Sequence, residues 1–188
     1  GYYFVIEKET GNIIRTTDVF NVFKPKKRKK IKPIGFVLSL DKMMLSTSNG
    51  RLLTIDIASG KTENISKIKS LSIEEKNIVE LTGIEDFDSL ETLNASQNKI
   101  ESINISKNLK LELLNLSTNT LSSIDVSKNI KLKSLYFDDN NISNIDLSKN
   151  LNIEVISISK NNLSSIDLSN NININSLNLH SNKLSSID

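Results

Sequence analysis

Residues 111–131 read LELLNLSTNTLSSIDVSKNIK, and this stretch decides the fold because its pattern returns through the second part of the chain. The pattern is Leu-x-x-Leu-x-Leu-x-x-Asn-x-Leu-x-x-Ile, where x is any residue. It occurs five times, and its asparagines recur every 21 residues at Asn98, Asn119, Asn140, Asn161 and Asn182. A degenerate copy at 71–81 has Lys76 in place of the asparagine, 22 residues before Asn98. A short fixed period predicts a solenoid in which each repeat is one turn of the coil.

The residue types of the repeat predict where each side chain points. Alternate residues of a strand face opposite sides, so Leu114 and Leu116 are expected inside and Asn115 outside. The asparagine that follows the strand can turn inward and satisfy backbone groups that the bend leaves unpaired. The five recurring asparagines are therefore interpreted as a structural ladder rather than as a ligand site.

The second half of each repeat, such as 121–129, lacks the length and period of a helix. Alternation at Ile124 and Val126 predicts a second short extended segment instead, followed by a Ser-Lys-Asn return turn. The coil should therefore be flattened and mostly β. An aspartate column and a lysine column are then expected on the solvated outside, with a calcium-binding ladder as the alternative for the aspartates. These columns are Asp125, Asp146, Asp167 and Asp188, and Lys107, Lys128 and Lys149.

The repeats resemble those of bacterial 21-residue leucine-rich-repeat proteins, which look like Leu-x-x-Leu-Asn-Cys-Ser-x-Asn-x-Leu-x-x-Leu-Asp-Val-Ser-x-Asn. Residues 90–98 and 124–129 match this pattern, and 81–85 resembles the way such arrays begin. The chain departs from the family where Cys is frequent, because Ala95, Leu116, Phe137, Ile158 and Leu179 stand there. The resemblance covers 67–188. It implies an exported protein of the periplasm or cell surface that uses its repeats to contact other macromolecules.

If the Leu-x-Leu segments form one sheet, its open face is the surface on which a protein or peptide partner would bind. Tyr136 is the one aromatic residue expected there, with Leu113 and Val155 on the neighbouring strands, and aromatic residues often anchor interfaces. His180, the only histidine, is interpreted as a surface residue of this face. The expected partner-binding residues are Leu113, Asn115, Ser134, Tyr136, Asp138, Val155, Ser157, Asn178 and His180, within a face that also includes Thr92, Asn94, Ser96, Ser117, Ser159 and Ser176.

The first 66 residues differ in composition and charge from the rest. They carry 12 Lys+Arg against 6 Asp+Glu, whereas 67–188 carry 12 against 16, so the two parts have net charges of +6 and −4. We therefore place a domain boundary between 66 and 67. A weaker repeat offset by 49 residues aligns 1–11 with 50–60 and predicts β-hairpins, with two further strands at 35–40 and 43–48.

These predicted strands form one four-stranded antiparallel unit preceded by half of another. The run at 50–61 is similar to blades of quinoprotein-like β-propellers, in particular the propeller lipoprotein of the outer-membrane assembly machinery. The chain contains no Trp, so nothing supports a quinone cofactor, and one and a half blades cannot close a propeller ring. Either the sequence is part of a longer one, or this sheet caps the solenoid. At the other end the sequence stops within a repeat, which favours truncation there.

Residues 24–32 contain seven basic residues in nine and are framed by Pro25 and Pro33. The run is interpreted as a solvated loop, with contact to an anionic envelope surface through Lys24–Lys32 as the next alternative and nucleic acid as the last. No apolar run is long enough for a transmembrane helix, and the first residues do not resemble a signal peptide. The absence of cysteine excludes disulfides and thiolate metal sites without fixing the compartment.

The sequence gives no basis for an enzyme. It has no Cys, no second His, no Gly-x-Gly-x-x-Gly motif and no Walker sequence. Among the clustered acids, Asp138 and Asp139 are neighbours on a strand and should face opposite sides, which suits them poorly to share a proton. The predicted function is a non-enzymatic protein-binding module without cofactor or metal. The alternative is a structural scaffold of the cell envelope that acts through the propeller-like first part.

Overall fold

The computed structural model describes residues 67–81 and 83–187 and, before them, the backbone of six strands; the side chains of these six strands and of Ile187 are outside the description. The chain divides into two units, Gly1–Ile65 and Ser66–Asp188. Across the described part of the chain, no helix has the length and apolar character needed to cross a bilayer.

The first unit contains two antiparallel sheets. In one, β1 (Phe4–Ile6) pairs with β2 (Ile13–Thr16). The other has four strands in chain order, as expected for successive hairpins. These strands are β3 (Ile31–Ser39), β4 (Lys42–Thr47), β5 (Leu52–Asp56) and β6 (Thr62–Glu63). The interpretation of this sheet as a propeller blade stays a prediction.

The structure corrects the extent of the predicted basic loop. Ile31 and Lys32 belong to β3, and Lys32 is paired with Ser46. The register between β3 and β4 shifts between Lys32 and Phe36, which is where Pro33 lies. Proline cannot donate a ladder hydrogen bond and is tolerated at such irregularities. The proline therefore interrupts the pairing without ending the strand, while residues 24–30 lie outside the described part.

The second unit is a β-solenoid whose main sheet has six parallel strands: β7 (Ser70–Ser72), β8 (Thr92–Asn94), β9 (Leu113–Asn115), β10 (Ser134–Tyr136), β11 (Val155–Ser157) and β13 (Ser176–Asn178). Their order in the sheet is β13-β11-β10-β9-β8-β7. Partner residues are 21 positions apart, as in Leu114 with Leu135, and 22 apart between β7 and β8. Each turn therefore adds one strand to the sheet.

The core of the solenoid is built by the residue types that the repeat predicted. The middle residue of a strand and the residue two positions later both point inward, as Leu114 and Leu116 do. Burying each such side chain contributes roughly 1.5–3 kcal/mol. Phe137 occupies one of these positions and is fully buried. In the last described turn Leu177 is exposed, while Leu179 and Leu184 are half-buried.

The predicted second extended segment is only partly present as a strand. Strands β12 (Ser165–Ile166) and β14 (Ser186–Ile187) pair in parallel, whereas the corresponding residues of earlier turns form no ladder. The inward and outward alternation is complete at Ile145 and Leu147, which are buried around exposed Asp146, whereas Ile124 and Leu168 are only half-buried. The Asp146 side chain accepts the backbone N–H of Ser148, and Asp125 and Asp167 accept the equivalent N–H groups, so the same local turn follows the segment in the turns with and without a second strand.

The connections between strands are tight turns rather than helices. Among the described residues of this unit, the one helical segment with assigned bounds is the 3-10 helix Ile84–Asp86. Gly83 precedes it with φ 95°, a left-handed conformation that glycine adopts without a Cβ penalty. The buried Ile84 side chain attaches this segment to the core.

Candidate binding surfaces

The open face of the main sheet consists of the outward-pointing residues of its strands. Strand register places Leu113, Ser134 and Val155 side by side in one row. A second row, two residues further along the strands, contains Asn115, Tyr136 and Ser157. All six side chains are half-buried by their neighbours. The structure therefore brings together most of the residues that the sequence analysis assigned to this face.

An apolar group lies at the centre of this face. Leu113 and Val155 flank Ser134 at one strand spacing each, which separates the two aliphatic residues by about 10 Å. Tyr136 follows Ser134 on the middle strand with its side chain on the same side. The small Ser134 side chain therefore lies between two aliphatic side chains, with an aromatic side chain two residues further along its own strand.

Asp138 lies on the same side but is held inside the protein's own hydrogen-bond network. One of its carboxylate oxygens accepts hydrogen bonds from the Ser157 hydroxyl at 2.7 Å, the Ser159 backbone N–H at 2.8 Å and the Ser159 hydroxyl at 2.5 Å. Its neighbour Asp139 is exposed with a positive φ. The role of Asp138 that the structure shows is to join two turns of the coil.

The asparagines of the open face also have structural bonds. The Asn115 side-chain oxygen accepts the Ser117 N–H, and that of Asn178 accepts the His180 N–H. These bonds close the strand ends, so the side-chain oxygens are already engaged. Asn178 also donates to the Ser157 hydroxyl, and the Ser181 hydroxyl lies 2.7 Å from the His180 ring nitrogen Nδ1.

One residue of the predicted face is buried. Ser96 is only 6% exposed because its hydroxyl turns back to the Asn94 side-chain oxygen at 2.8 Å. The Ser96 backbone N–H uses the same oxygen as its acceptor. Ser96 therefore belongs to the turn rather than to the accessible surface.

A row of charges borders the open face at the start of the strands. Lys69 and Glu91 form an ion pair at 2.8 Å, and Glu112 and Lys133 form another at 2.8 Å. The hydrogen bond and charge of Lys133 lower the pKa of Glu112 below its ordinary value, and Glu112 raises the pKa of Lys133 in return. These groups are exposed, so the ion pairs contribute little stability and mainly affect the electrostatic potential at the border of the face.

The asparagine ladder has the structural role that the repeat predicted. The side-chain oxygen of Asn140 accepts the Leu121 N–H at 3.0 Å, and its amide donates to the carbonyls of Leu116 and Phe137. Asn119 and Asn161 make the equivalent bonds one turn away on either side. We call Asn98, Asn119, Asn140, Asn161 and Asn182 the first asparagine column.

A second asparagine column was missed by the sequence analysis, which assigned these residues to a return turn. Its members are fully or almost fully buried, and each amide donates to backbone carbonyls of the preceding turn. In Asn150 the acceptors are the carbonyls of Val126 and Asn129, both at 3.0 Å. Its strict 21-residue recurrence was the signal that could have revealed it. The column comprises Asn108, Asn129, Asn150 and Asn171.

The aspartate column lies on the exposed side of the coil, as expected, although its last member, Asp188, is outside the described residues. Hydrogen bonds from Ser127 lower the pKa of Asp125, and those from Ser148 lower the pKa of Asp146. The charges of the neighbouring lysines act in the same direction on both aspartates. In the described part of the chain, no group of three or more His, Cys, Asp or Glu residues has an arrangement that could hold a metal ion.

A row of exposed aliphatic residues was also missed. Each member directly follows an asparagine of the second column, and more than half of its side-chain surface is exposed. The signal in the sequence was the return of Leu or Ile every 21 residues at a position outside the repeat's core pattern. We call this row the aliphatic ridge: Leu109, Ile130, Leu151 and Ile172.

Comparisons with known proteins identify the fold of the solenoid. A leucine-rich-repeat protein of Leptospira interrogans is 21% identical with a TM-score of 0.62, and the match covers 64% of this chain and 33% of that one. An internalin of Listeria monocytogenes is 26% identical with a TM-score of 0.63, covering 68% of this chain and 40% of that one. The matched region thus spans well under half the length of either structure.

A third similar structure is the leucine-rich-repeat ectodomain of a receptor kinase from Arabidopsis thaliana. It is 19% identical with a TM-score of 0.56, and the match covers 72% of this chain and 80% of that one. No protein-family model and no curated protein matches the sequence. The chain is mainly β, and its second unit is a β-solenoid similar to bacterial leucine-rich-repeat proteins.

Proposed function

We propose that this chain is a non-enzymatic protein-binding module that captures its partner on the open face of the main sheet. The observation that carries the proposal is the apolar group of Leu113, Tyr136 and Val155 on a surface otherwise made of small polar side chains. Aromatic and aliphatic residues surrounded by polar ones are typical centres of protein interfaces. The similarity in fold to leucine-rich-repeat proteins supports this role.

The size of the face suits a peptide segment or a protein loop. Six strands at roughly 4.8 Å spacing give a sheet about 25 Å across. A partner that places an apolar side chain over Ser134 would contact Tyr136 and both aliphatic neighbours at once. The ion pairs of Glu91 and Glu112 would lie at the border of that contact, where charges influence orientation and association rate more than affinity.

The resemblance to the bacterial 21-residue repeats extends this proposal to the location of the protein and to the class of its partner. The module would act outside the cytoplasm, in the periplasm or at the cell surface, and its partner would be another macromolecule. Of the predicted residues, Leu113, Ser134, Tyr136 and Val155 would form the contact centre. Asn115, Asp138, Ser157, Asn178 and His180 would surround it, with Asp138 fixing the turn beneath the partner.

The test is a double substitution, Tyr136→Ala with Leu113→Ser, in the full chain. A random peptide display library is selected against the unchanged chain, and the dissociation constants of the selected peptides are then measured by fluorescence anisotropy. Loss of a central aromatic anchor typically costs at least 2 kcal/mol, so we expect binding about 30-fold weaker or worse.

Ser123→Ala is the matched control, because Ser123 is exposed on the second half of the repeat, away from the open face. This variant should bind like the unchanged chain, and thermal unfolding should show that both variants remain folded. Peptides that bind the double variant and the unchanged chain equally well would place the site elsewhere on the molecule.

The second candidate function is a cell-envelope scaffold that acts through the first unit. The four-stranded antiparallel sheet of β3 to β6 is the observation that favours it, since propeller blades have four such strands. Deleting 1–65, the first unit, separates the two functions. A solenoid that keeps peptide binding after the deletion contradicts the scaffold, whereas complete loss by a folded solenoid contradicts the open face.

A further inference from the structure

The aliphatic ridge is held outward by the backbone of the turn that carries it. Asn129 donates its backbone N–H to the Val126 carbonyl, and Leu132 donates its own to the Asn129 carbonyl. Both Asn129 and Leu132 are fully buried, so the inward positions on either side of Ile130 are occupied. Ile130 therefore remains 55% exposed, and the same turn recurs in the neighbouring repeats.

The exposure of the ridge continues over four turns and is large for aliphatic side chains. Leu109 is 54% exposed, Leu151 51% and Ile172 86%. Together with Ile130 they form a row of exposed aliphatic side chains on neighbouring turns, and contiguous apolar patches on soluble proteins are often functional. Nothing in the repeat's core pattern requires an aliphatic residue here.

The charges next to the ridge differ from those of the unit as a whole. Residues 67–188 have a net charge of −4, from 12 Lys and 16 acidic residues. Yet no acidic residue stands within two positions of any ridge residue, and five lysines do. These are Lys107, Lys110, Lys128, Lys131 and Lys149. Lys128 and Lys149 also lower the pKa of Asp125 and Asp146, so acidic groups lie beyond the lysines rather than directly beside the ridge. An apolar row whose adjoining residues are basic is complementary to a surface that is both apolar and anionic.

We propose that the aliphatic ridge docks on an anionic lipid surface. The ridge residues would enter the boundary between headgroups and acyl chains, while the lysines contact the headgroup phosphates. Asp88, which precedes Leu109 by 21 residues, occupies the ridge position of the preceding turn and so marks one end of the contact. The open face belongs to the strands that follow each ridge turn and stays free for a partner.

Two other occupants fit the observations less well. A second copy placed ridge against ridge would bring the lysine borders of both molecules together, which is unfavourable. A stable interface between proteins also buries roughly 800 Å² on each side, more than this single row offers. A lipid surface needs no complementary groove, because it deforms around a projecting row of side chains.

The experiment measures co-sedimentation of the full chain with vesicles of phosphatidylcholine alone and with vesicles that also contain phosphatidylglycerol. All variants carry the basic residues of 24–32 changed to Gln, so that this run does not contribute. We expect binding only to the anionic vesicles. Changing the four ridge residues to Thr should lower the partition coefficient at least about ten-fold, because both the apolar insertion and its orientation are lost.

Single variants keep the test decisive even if the fourfold variant folds poorly. Ile172→Thr removes the most exposed ridge residue and should weaken vesicle binding about two- to three-fold. Val79→Thr is the matched control, since Val79 is 56% exposed but lies outside the ridge, and it should have no effect. Lys107, Lys128 and Lys149 changed together to Gln should weaken binding to the anionic vesicles by about ten-fold or more.

Three results would overturn the proposal. One is a folded ridge variant that binds the anionic vesicles as its parent does. Another is equal binding to both vesicle types, which would remove the role of the lipid charge. The last is a parent chain that fails to bind vesicles; if it instead forms a dimer that the ridge substitutions dissociate, a second copy is the occupant.

Discussion

The two asparagine columns share residue type and a 21-residue period, and all their members except Asn182 are buried, but they differ in what the side chain does. In the first column both halves of the amide are used: Asn140 accepts one backbone N–H and donates to carbonyls of two turns. In the second column, within the described residues, the oxygens of Asn108, Asn129, Asn150 and Asn171 are buried without a hydrogen-bond partner. Equal recurrence within one chain therefore does not mean equal energetic roles.

The backbone around the two columns differs in the same way. The residue before each first-column asparagine is left-handed, with φ between 52° and 57° at Gln97, Thr118, Asp139, Lys160 and Ser181. None of the residues before the second column, Lys107, Lys128, Lys149 and Asn170, all of which the structure describes, has a positive φ. The first column thus requires a strained turn, while the second fits an ordinary one.

The largest loss of stability is expected when an asparagine of the second column, whose amide donates hydrogen bonds, is replaced by aspartate, which can only accept them when ionised. Asn150→Asp would place a carboxylate oxygen against the carbonyls of Val126 and Asn129, in a position with no solvent exposure. Unfolding free energy should fall by about 4 kcal/mol or more at neutral pH. Asn140→Asp should be milder, since the remaining oxygen still accepts the Leu121 N–H.

The Asn150→Asp variant also has a defined pH dependence. Burial beside two carbonyls raises the folded-state pKa of the introduced carboxyl above its ordinary value of about 3.9, because the neutral acid can donate a hydrogen bond there. A raised folded-state pKa means that the variant is least destabilised below the unfolded-state pKa and loses stability as the pH rises through the folded-state value. Thermal unfolding of the variant and its parent from pH 3 upward, on the order of one-unit steps, measures this difference. A difference in unfolding temperature between variant and parent that stays constant over this pH range would show that the carboxyl is not buried against the carbonyls.

Replacement by alanine should destabilise the first column more than the second, which is the reverse of the order expected for replacement by aspartate. Asn140→Ala leaves the buried Leu121 N–H without its partner, so we expect a loss of about 3 kcal/mol. Asn150→Ala should cost about 1–2 kcal/mol, because the Val126 and Asn129 carbonyls also accept backbone N–H groups of the same turn.

Urea unfolding followed by far-ultraviolet circular dichroism compares the two variants under identical conditions. Asn129→Ala serves as a second member of the weaker column and should resemble Asn150→Ala. If Asn150→Ala lost as much unfolding free energy as Asn140→Ala or more, the two amide hydrogen bonds of Asn150 would contribute more to stability than the backbone hydrogen bonds beside them.

The solenoid could be predicted because its repeat contains both the core positions and the turn positions. Leu114, Leu116 and Asn119 each have a side chain whose role follows from strand alternation or amide chemistry, and the structure shows those roles. The open face followed from the same alternation. Asp138 was assigned to the partner because its position on the face was clear, whereas its bonds to Ser157 and Ser159 depend on the next turn.

The missed features depend on packing between turns. Asn150 and Leu151 are adjacent in a turn, yet one is fully buried and the other half-exposed. Composition suggests the reverse, because asparagine is usually exposed and leucine usually buried. The backbone carbonyls of the preceding turn reverse that preference by offering Asn150 two acceptors in a position that an aliphatic side chain could not satisfy.

The smallest expected effect tests the strain that accompanies the first column. Thr118→Gly removes a β-branched residue from a left-handed conformation with φ 57° and should raise the unfolding free energy by about 0.5 kcal/mol. The gain is modest because glycine also makes the unfolded chain more flexible. Lys128→Gly, directly before second-column Asn129, should instead lower stability, since it brings the flexibility without relieving any strain. Urea midpoints that shift in the same direction for both variants would contradict the backbone difference between the columns.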